Sequence, residues 1–193
     1  MEPVPIVLAN TISIDRGRVH DSLAEQNDAE QWLRKISGQL NLTPQPPSSD
    51  TLIGAHVDRL VSLRDAVRRL AADQTQDPRT LGQSPVPDAA AATDIVNSSS
   101  ALGLVWPEVD CAGPTAQRRD VWAGREYLDA LITVIARQTI DLAVSPQWGQ
   151  LHPCLAPGCA HFFVKDQMRR QWCSPHCGNR ARVARHAHRH RTG

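Results

Sequence analysis

Cys154-Leu155-Ala156-Pro157-Gly158-Cys159 and, after thirteen further residues, Cys173-Ser174-Pro175-His176-Cys177 set four thiols in the pattern C-x4-C-x13-C-x3-C. Two close pairs of soft sulfur donors suit a tetrahedral Zn²⁺, because each pair spans one edge of the tetrahedron while the segment between them folds back. Four thiolates fill the coordination shell, so the pattern predicts a closed structural site and not a catalytic one with an open position. The competing reading, a pair of disulfides, needs an oxidising compartment and usually a small, cysteine-dense domain. This chain has five cysteines in 193 residues, and Met1-Glu2-Pro3-Val4-Pro5 offers neither the basic start nor the apolar run of a signal peptide.

The residues around the thiols predict how the module is built. Pro157-Gly158 supplies the turn chemistry of a tight knuckle just before the second ligand. Ala160-His161-Phe162-Phe163-Val164 reads as a strand, with Lys165 to Arg170 as a polar turn and Gln171-Trp172 as the second arm of a hairpin. Ser174 followed by Pro175 is a helix start, an N-cap hydroxyl and then proline at the first helical position. Cys177 then falls in the first turn, where free N–H groups and the helix dipole favour a thiolate. The expectation is a treble-clef-like finger, with a zinc ribbon as the alternative.

In the helix expected from Pro175 to Arg191, Cys177, Ala181, Ala184 and His188 share one face, while Arg182, Arg185 and Arg189 form a basic stripe beside it. His186, His188 and His190 alternate, do not share a face, and read as solvent-exposed rather than metal-binding. From His152 to Gly193 eight cations face one acid, a net +7, whereas the first 151 residues carry −6. Even with about −2 from a zinc tetrathiolate, the module stays basic, able to neutralise phosphates and gain affinity by counterion release. Arginine further permits bidentate contacts to phosphate or guanine. The plainer reading of such a stripe is a solvated terminal tail.

The larger region reads as mostly helical α+β with a few short strands and its own core. Val4 to Leu8 is expected as a strand. A helix capped by Asp21 or Ser22 follows, with Leu23, Ala29, Leu33, Ile36 and Leu40 inward, and Pro44, Pro46 and Pro47 end it. A second helix, from about Asp50 to Ala72, is expected to turn Ile53, Val57, Leu60, Val67 and Leu70 inward and Arg59, Arg68 and Arg69 outward. Gln74 to Pro87 reads as a linker, Asp88 as the cap of an Ala-rich helix, Ala101 to Trp106 as a strand, and about Thr115 to Val144 as the longest helix. The five tryptophans read as core or junction anchors, and Cys111 as an inert thiol. No phosphate-binding glycine loop, nucleophile elbow or HExxH motif is present, so no enzyme is expected. No stretch approaches the ~20 apolar residues of a membrane span, and a soluble cytoplasmic protein is expected.

Leu8-Ala9-Asn10-Thr11, Arg16-Gly17, Asp21, Leu23 and Trp32-Leu33 resemble the start of the bacterial ABATE domain. Cys154-x4-Cys159-x-x-Phe162-Phe163-Val164, then Arg169-Arg170-x-Trp172-Cys173-Ser174-x-x-Cys177-Gly178-Asn179-Arg180, resembles the CGNR zinc finger coupled to it. The resemblance covers nearly the whole chain, with residues 1–150 as the first domain and 151–193 as the finger. It implies a stress-induced transcriptional regulator, with Cys154, Cys159, Cys173 and Cys177 as ligands, the finger as DNA reader and the first domain as sensor. One departure is Gly149-Gln150-Leu151-His152-Pro153, which replaces the Glu-Arg-Leu-Arg-like stretch of the family before the first Cys.

Three functional readings follow. The first is a DNA-binding regulator, with Arg182, Arg185 and Arg189, together with Arg180, on phosphates or bases and Lys165, Arg169 and Arg170 on the backbone. A lone finger with one basic helix buries little surface, so a homodimer is expected. The second is a protein-interaction or RNA-binding module, in which at most one of Phe162 and Phe163 serves as a stacking platform, since adjacent strand residues face opposite ways. The third is a small-molecule sensor or enzyme with Asn10, Thr11 and Arg16, near Asp21, as its polar cluster. Against that stands the simpler role of Asn10 and Thr11 in satisfying backbone groups where an element ends.

Overall fold

A computed structural model describes residues 2–40, 42–43, 54–123 and 127–189. The chain runs α1 (Val4–Ala9), β1 (Ile12–Asp15), β2 (Arg18–Asp21), α2 (Gln26–Ser37), β3 (Leu42–Thr43), α3 (Gly54–Thr75), α4 (Ala89–Ser99), β4 (Leu104–Asp110) and β5 (Gln117–Ala123). It continues through α5 (Tyr127–Ala143), a 3₁₀ turn (Trp148–Gln150), β6 (Leu151–Pro153), β7 (Phe162–Val164) and α6 (Pro175–Arg189). Helices dominate and the strands form three small sheets, an α+β architecture. The expected prolines 44, 46 and 47, the start at Asp50, Ile53, and the end of the last helix at Arg191 lie outside the described residues.

The main core is a helical layer. Leu33 and Ile36 of α2, Leu60, Leu63 and Val67 of α3, Val96 of α4 and Leu131 and Ile135 of α5 pack with Leu8 and Leu23. The inward stripe expected for α2 is the one observed, but the helix begins at Gln26. Asp21 instead caps the preceding turn, accepting from the Leu23 N–H at 2.8 Å. Asp88 does cap α4, accepting from the Ala91 N–H at 2.8 Å.

Three expectations are corrected. Val4–Ala9 is a helix, not a strand: an apolar run this short carries no period to choose between the two, and Pro5 in the first turn presets a helical φ. The expected helix from Thr115 divides into β5 and α5. β5 pairs antiparallel with β4, with Glu108 opposite Arg119, and lies parallel to β3, giving the order β3-β5-β4. Cross-strand ion pairs from Arg119 to Glu108 at 3.0 Å and Asp110 at 3.6 Å fix the hairpin, and Pro107 is tolerated because β4 is an edge. Arg68 is buried, 3% exposed, because α3 is covered on almost every side from Leu63 to Arg68.

A second cluster joins the two regions of the chain. Ile6, Ala71 and Leu142 from the helices pack with Leu151, Phe162 and Val164 from β6 and β7. At about 1.5–3 kcal/mol per large buried side chain, this shared core makes the C-terminal module an integral part of the fold and not a tethered bead.

Candidate metal centre and basic groove

The module starts with β6 and β7, antiparallel, with Pro153 opposite Phe162 and Leu151 opposite Val164. The knuckle Cys154–Cys159 is the loop of this hairpin. The second arm is therefore β6, upstream of the first thiol, and not Gln171-Trp172, which forms no strand. Hydrogen bonds from the Cys154 N–H to the His161 carbonyl at 2.9 Å and from the Cys159 N–H to the Ala156 carbonyl at 3.0 Å close the knuckle. Ser174 caps α6 through its hydroxyl, which accepts from the Cys177 N–H at 3.3 Å. The order is β6, knuckle, β7 and then α6, so the hairpin encloses the knuckle and the helix supplies the last thiol, a ribbon-like finger.

The four sulfurs lie within 4.8 Å of one another. Cys159–Cys173, Cys173–Cys177 and Cys177–Cys159 are 3.7, 3.5 and 3.7 Å apart. Tetrahedral geometry with metal–sulfur bonds of about 2.3 Å requires sulfur separations of about 3.8 Å, so the arrangement fits a tetrathiolate ion, whereas a disulfide would close to about 2.05 Å. The donor set also calls for a cation. Hydrogen bonds from Cys159 and Cys173 hold Cys154 far down as a thiolate, while the same contact with Cys154 pushes Cys159 up to about 11 and Cys173 higher still. Four thiolates at one point are stable only around a positive ion. Three of the four cysteines are buried.

Around the sulfurs the chain provides donors. The Cys173 N–H points at Cys154 Sγ at 3.5 Å, and Arg180 Nη2 lies 3.1 Å from Cys177 Sγ. His161 Nδ1 is 4.0 Å from Cys173 Sγ, and burial lowers its pKa, keeping it neutral. Phe163 packs with the cysteines and with Trp172. The two Phe do face opposite ways, but Phe162 is 1% and Phe163 2% exposed, so neither is a stacking platform.

The helical region grips the knuckle from outside. Asn10 Nδ2 donates to the Phe162 carbonyl and Asn10 Oδ1 accepts from the Phe162 N–H, both at 2.8 Å. Arg79 Nη1 reaches the carbonyls of His161 at 2.9 Å, Cys159 at 3.2 Å and Cys154 at 3.5 Å, and its guanidinium lies 4.6 Å from the centre of the Phe162 ring. Glu2 accepts from the Val164 N–H and pairs with Arg170. Gly82 has φ +71°, and a Cβ there would meet Ala160 Cβ at 3.1 Å, so the loop carrying Arg79 can lie against the knuckle. The stretch read as a linker is thus a strap. Its role carried no signal in the sequence, since arginine in a Pro-rich polar loop resembles any solvated charge.

The expected nucleic-acid residues divide into two groups. Arg170 turns inward, to Glu2, to the Val164 carbonyl at 3.0 Å and over the Phe163 ring. Arg180 turns to the metal site, its Nε buried. Both hold the finger together. Arg169, Arg182 and Arg185, with one side of Arg170, line a groove of about 620 Å³ between the turn at Asp166–Ser174 and α6, with Trp172 and Gly178 in its wall. Lys165 lies half-buried at the end of β7 and Arg189 is exposed on the last turn of α6. Asn179 accepts from Arg182 and so orients one groove arginine.

The expected ligand residues do not converge. Asn10 is engaged with Phe162, Thr11 Oγ1 donates to the Leu8 carbonyl at 2.8 Å, and Arg16 is exposed at the β1–β2 turn with φ +48°.

The fold and site define a four-thiolate metal finger docked on a helical α+β domain. Residues 2–146 match the ABATE family, described as "Putative stress-induced transcription regulator", and residues 150–190 match the CGNR zinc finger. The chain belongs to the ABATE family and carries the CGNR finger at its C-terminal end. Comparison with curated proteins returned no match.

Proposed function

We propose that this chain is a zinc-dependent DNA-binding transcription regulator without catalytic activity, acting in the cytoplasm in a stress response. Zinc is the ion that suits four thiolates in a closed tetrahedron, and when bound it supplies a structural cross-link between knuckle and helix. The observation that carries the reading is the groove between the turn after β7 and α6. Arg169, Arg182 and Arg185 converge there with Asp166 as the acidic lining residue, against an otherwise acidic chain.

Arg182 and Arg185 sit one turn along α6, suited to successive phosphates or to a phosphate and a base edge. Arg169, Lys165 and Arg189 extend the positive surface, while Arg170 and Arg180 act through the fold. The family description and the absence, among the described residues, of any helix long and apolar enough to cross a membrane are consistent with this reading. One finger contacts few base pairs, so two copies on adjacent half-sites supply the remaining affinity.

The test is anisotropy of labelled duplex fragments titrated with metal-loaded protein across a salt series, with the mass of the complex measured alongside. The reading expects binding that weakens steeply with salt, selects among fragments, is lost on chelation and has two chains per site. Equal affinity before and after chelation would sink the zinc-dependent reading, and a single chain on the selected fragment would sink the dimer.

A further inference from the structure

A second cavity, of about 400 Å³, lies between the strap and α3 with Phe162 in its wall. Arg68, Arg69 and Arg79 line it together with Asp73, Asp77 and Gln83. Arg69 pairs with Asp73 at 2.7 Å and Arg79 with Asp77 at 2.7 Å. Arg68 is the exception. It is 3% exposed, donates only to the carbonyls of Ala9, Gly82 and Ala160, and its Nε has no partner. Among the described residues it forms no ion pair with a carboxylate. A buried guanidinium whose direct partners are carbonyl dipoles and the Phe162 ring, with Asp65 and Asp77 nearby but not paired with it, is a costly arrangement, and a nearby anion would relieve it.

We infer that this cavity is a binding site for a small organic monocarboxylate, held by the uncompensated charge of Arg68 and coupled through Arg68 and Arg79 to the metal knuckle. Three arginines against two aspartates leave a single positive charge. That balance matches a monoanion, whereas a doubly charged phosphate would also face Asp73 and Asp77. Burial, together with the nearby Arg79 and Arg64, lowers the Arg68 pKa to about 10, which leaves it charged at neutral pH. Arg68 also touches the Ala160 carbonyl, and Arg79 the carbonyls of Cys154, Cys159 and His161. A ligand that orders these two side chains therefore favours the closed knuckle. The site does not depend on the nucleic-acid reading, and its test involves no DNA.

Calorimetric titration of the metal-loaded full chain with butyrate, with its neutral isostere butyramide and with inorganic phosphate tests the assignment. Saturable one-site binding of butyrate is expected, with butyramide and phosphate weaker by about ten-fold or more. Arg68→Gln should abolish binding. Because that variant also loses backbone contacts, Gln83→Glu is read against Gln83→Ala: Gln83 is exposed and its amide donates to the Arg79 carbonyl at 3.0 Å, a bond both changes remove, so a loss of about ten-fold in butyrate affinity in Gln83→Glu beyond that in Gln83→Ala reports the new carboxylate in the wall. Saturating butyrate should slow metal loss to a chelator. Butyramide binding as well as butyrate, phosphate binding tighter, or equal affinities in Gln83→Glu and Gln83→Ala would overturn the site. Butyrate binding with unaltered metal loss would overturn its coupling to the knuckle.

Discussion

Asn10 and Phe162, 152 positions apart, are joined as two strands would be: the Asn10 side-chain amide both donates to and accepts from the Phe162 backbone, at 2.8 Å each way. The carboxamide acts as a one-residue edge strand for β7, whose other edge is paired with β6. Asn10→Ala leaves a buried N–H and a C=O unpaired and should cost about 2 kcal/mol in denaturant unfolding. Asn10→Asp keeps the acceptor but sets a carboxylate against a carbonyl, and should cost at least as much. Gln, one methylene longer, should not rescue. A loss under about 0.5 kcal/mol for Asn10→Ala would mean that the pair is incidental.

Gly178, the glycine of the CGNR signature, stands against Trp172. A Cβ there would meet Trp172 Cδ1 at 3.2 Å. Helix propensity alone favours Gly178→Ala by about 1 kcal/mol. The ring is packed with the cysteines and cannot retreat freely, so the contact should win and Gly178→Ala should destabilise the finger. In a Trp172→Leu background the same change should turn neutral or stabilising, a coupling that a double-mutant cycle reads directly. Gly178→Ala stabilising the wild-type chain would show that the ring yields.

The metal site was legible in advance because ligand chemistry demands particular residues at particular spacings, and Ser174-Pro175 marked the helix that presents Cys177. The inward stripe of α2 was legible for the related reason that one exposed face leaves a period to read. Elements covered on several sides lose that period. Arg68 on α3 was misread for this reason, and α1 because its six residues are too few to carry a period. The β4–β5 hairpin was hidden because Arg118-Arg119-Asp120 suits an exposed helix as well as a charged strand, and its partners Glu108 and Asp110 follow from register alone. The strap at Arg79 and the inward turn of Arg170 depend on long-range contacts with residues of unremarkable local pattern.

Removing the metal should affect more than the finger. Phe162 belongs to the cluster shared with α1, α3 and α5, and its neighbour Phe163 packs on the sulfurs. Chelation should release one ion per chain, open the segment 154–177 to protease, and lower the melting temperature of the whole protein through β7. Cys154→Ser should reproduce this without chelator. If the helical region of the chelated protein melted unchanged, the two clusters would be energetically independent.

The inward and outward arginines of the finger should separate in a salt titration. Arg182 and Arg185 line the groove and face solvent, whereas Arg170, also at the groove wall, has its guanidinium tied to Glu2, Val164 and Phe163. Each phosphate contact removed should reduce the slope of log K against log salt by about 0.9 on duplex DNA. Arg182→Gln and Arg185→Gln should therefore each lower the slope by about 1 with little change in melting temperature, and the double variant by about 2. Arg170→Gln should leave the slope unchanged and lower the melting temperature, because it leaves Glu2 beside β7 without its cation. Arg182→Gln also releases Asn179, so Asn179→Ala is the control: it should weaken binding less than Arg182→Gln and preserve the slope. Arg170→Gln lowering the slope while Arg182→Gln and Arg185→Gln leave it intact would move the nucleic-acid surface away from α6.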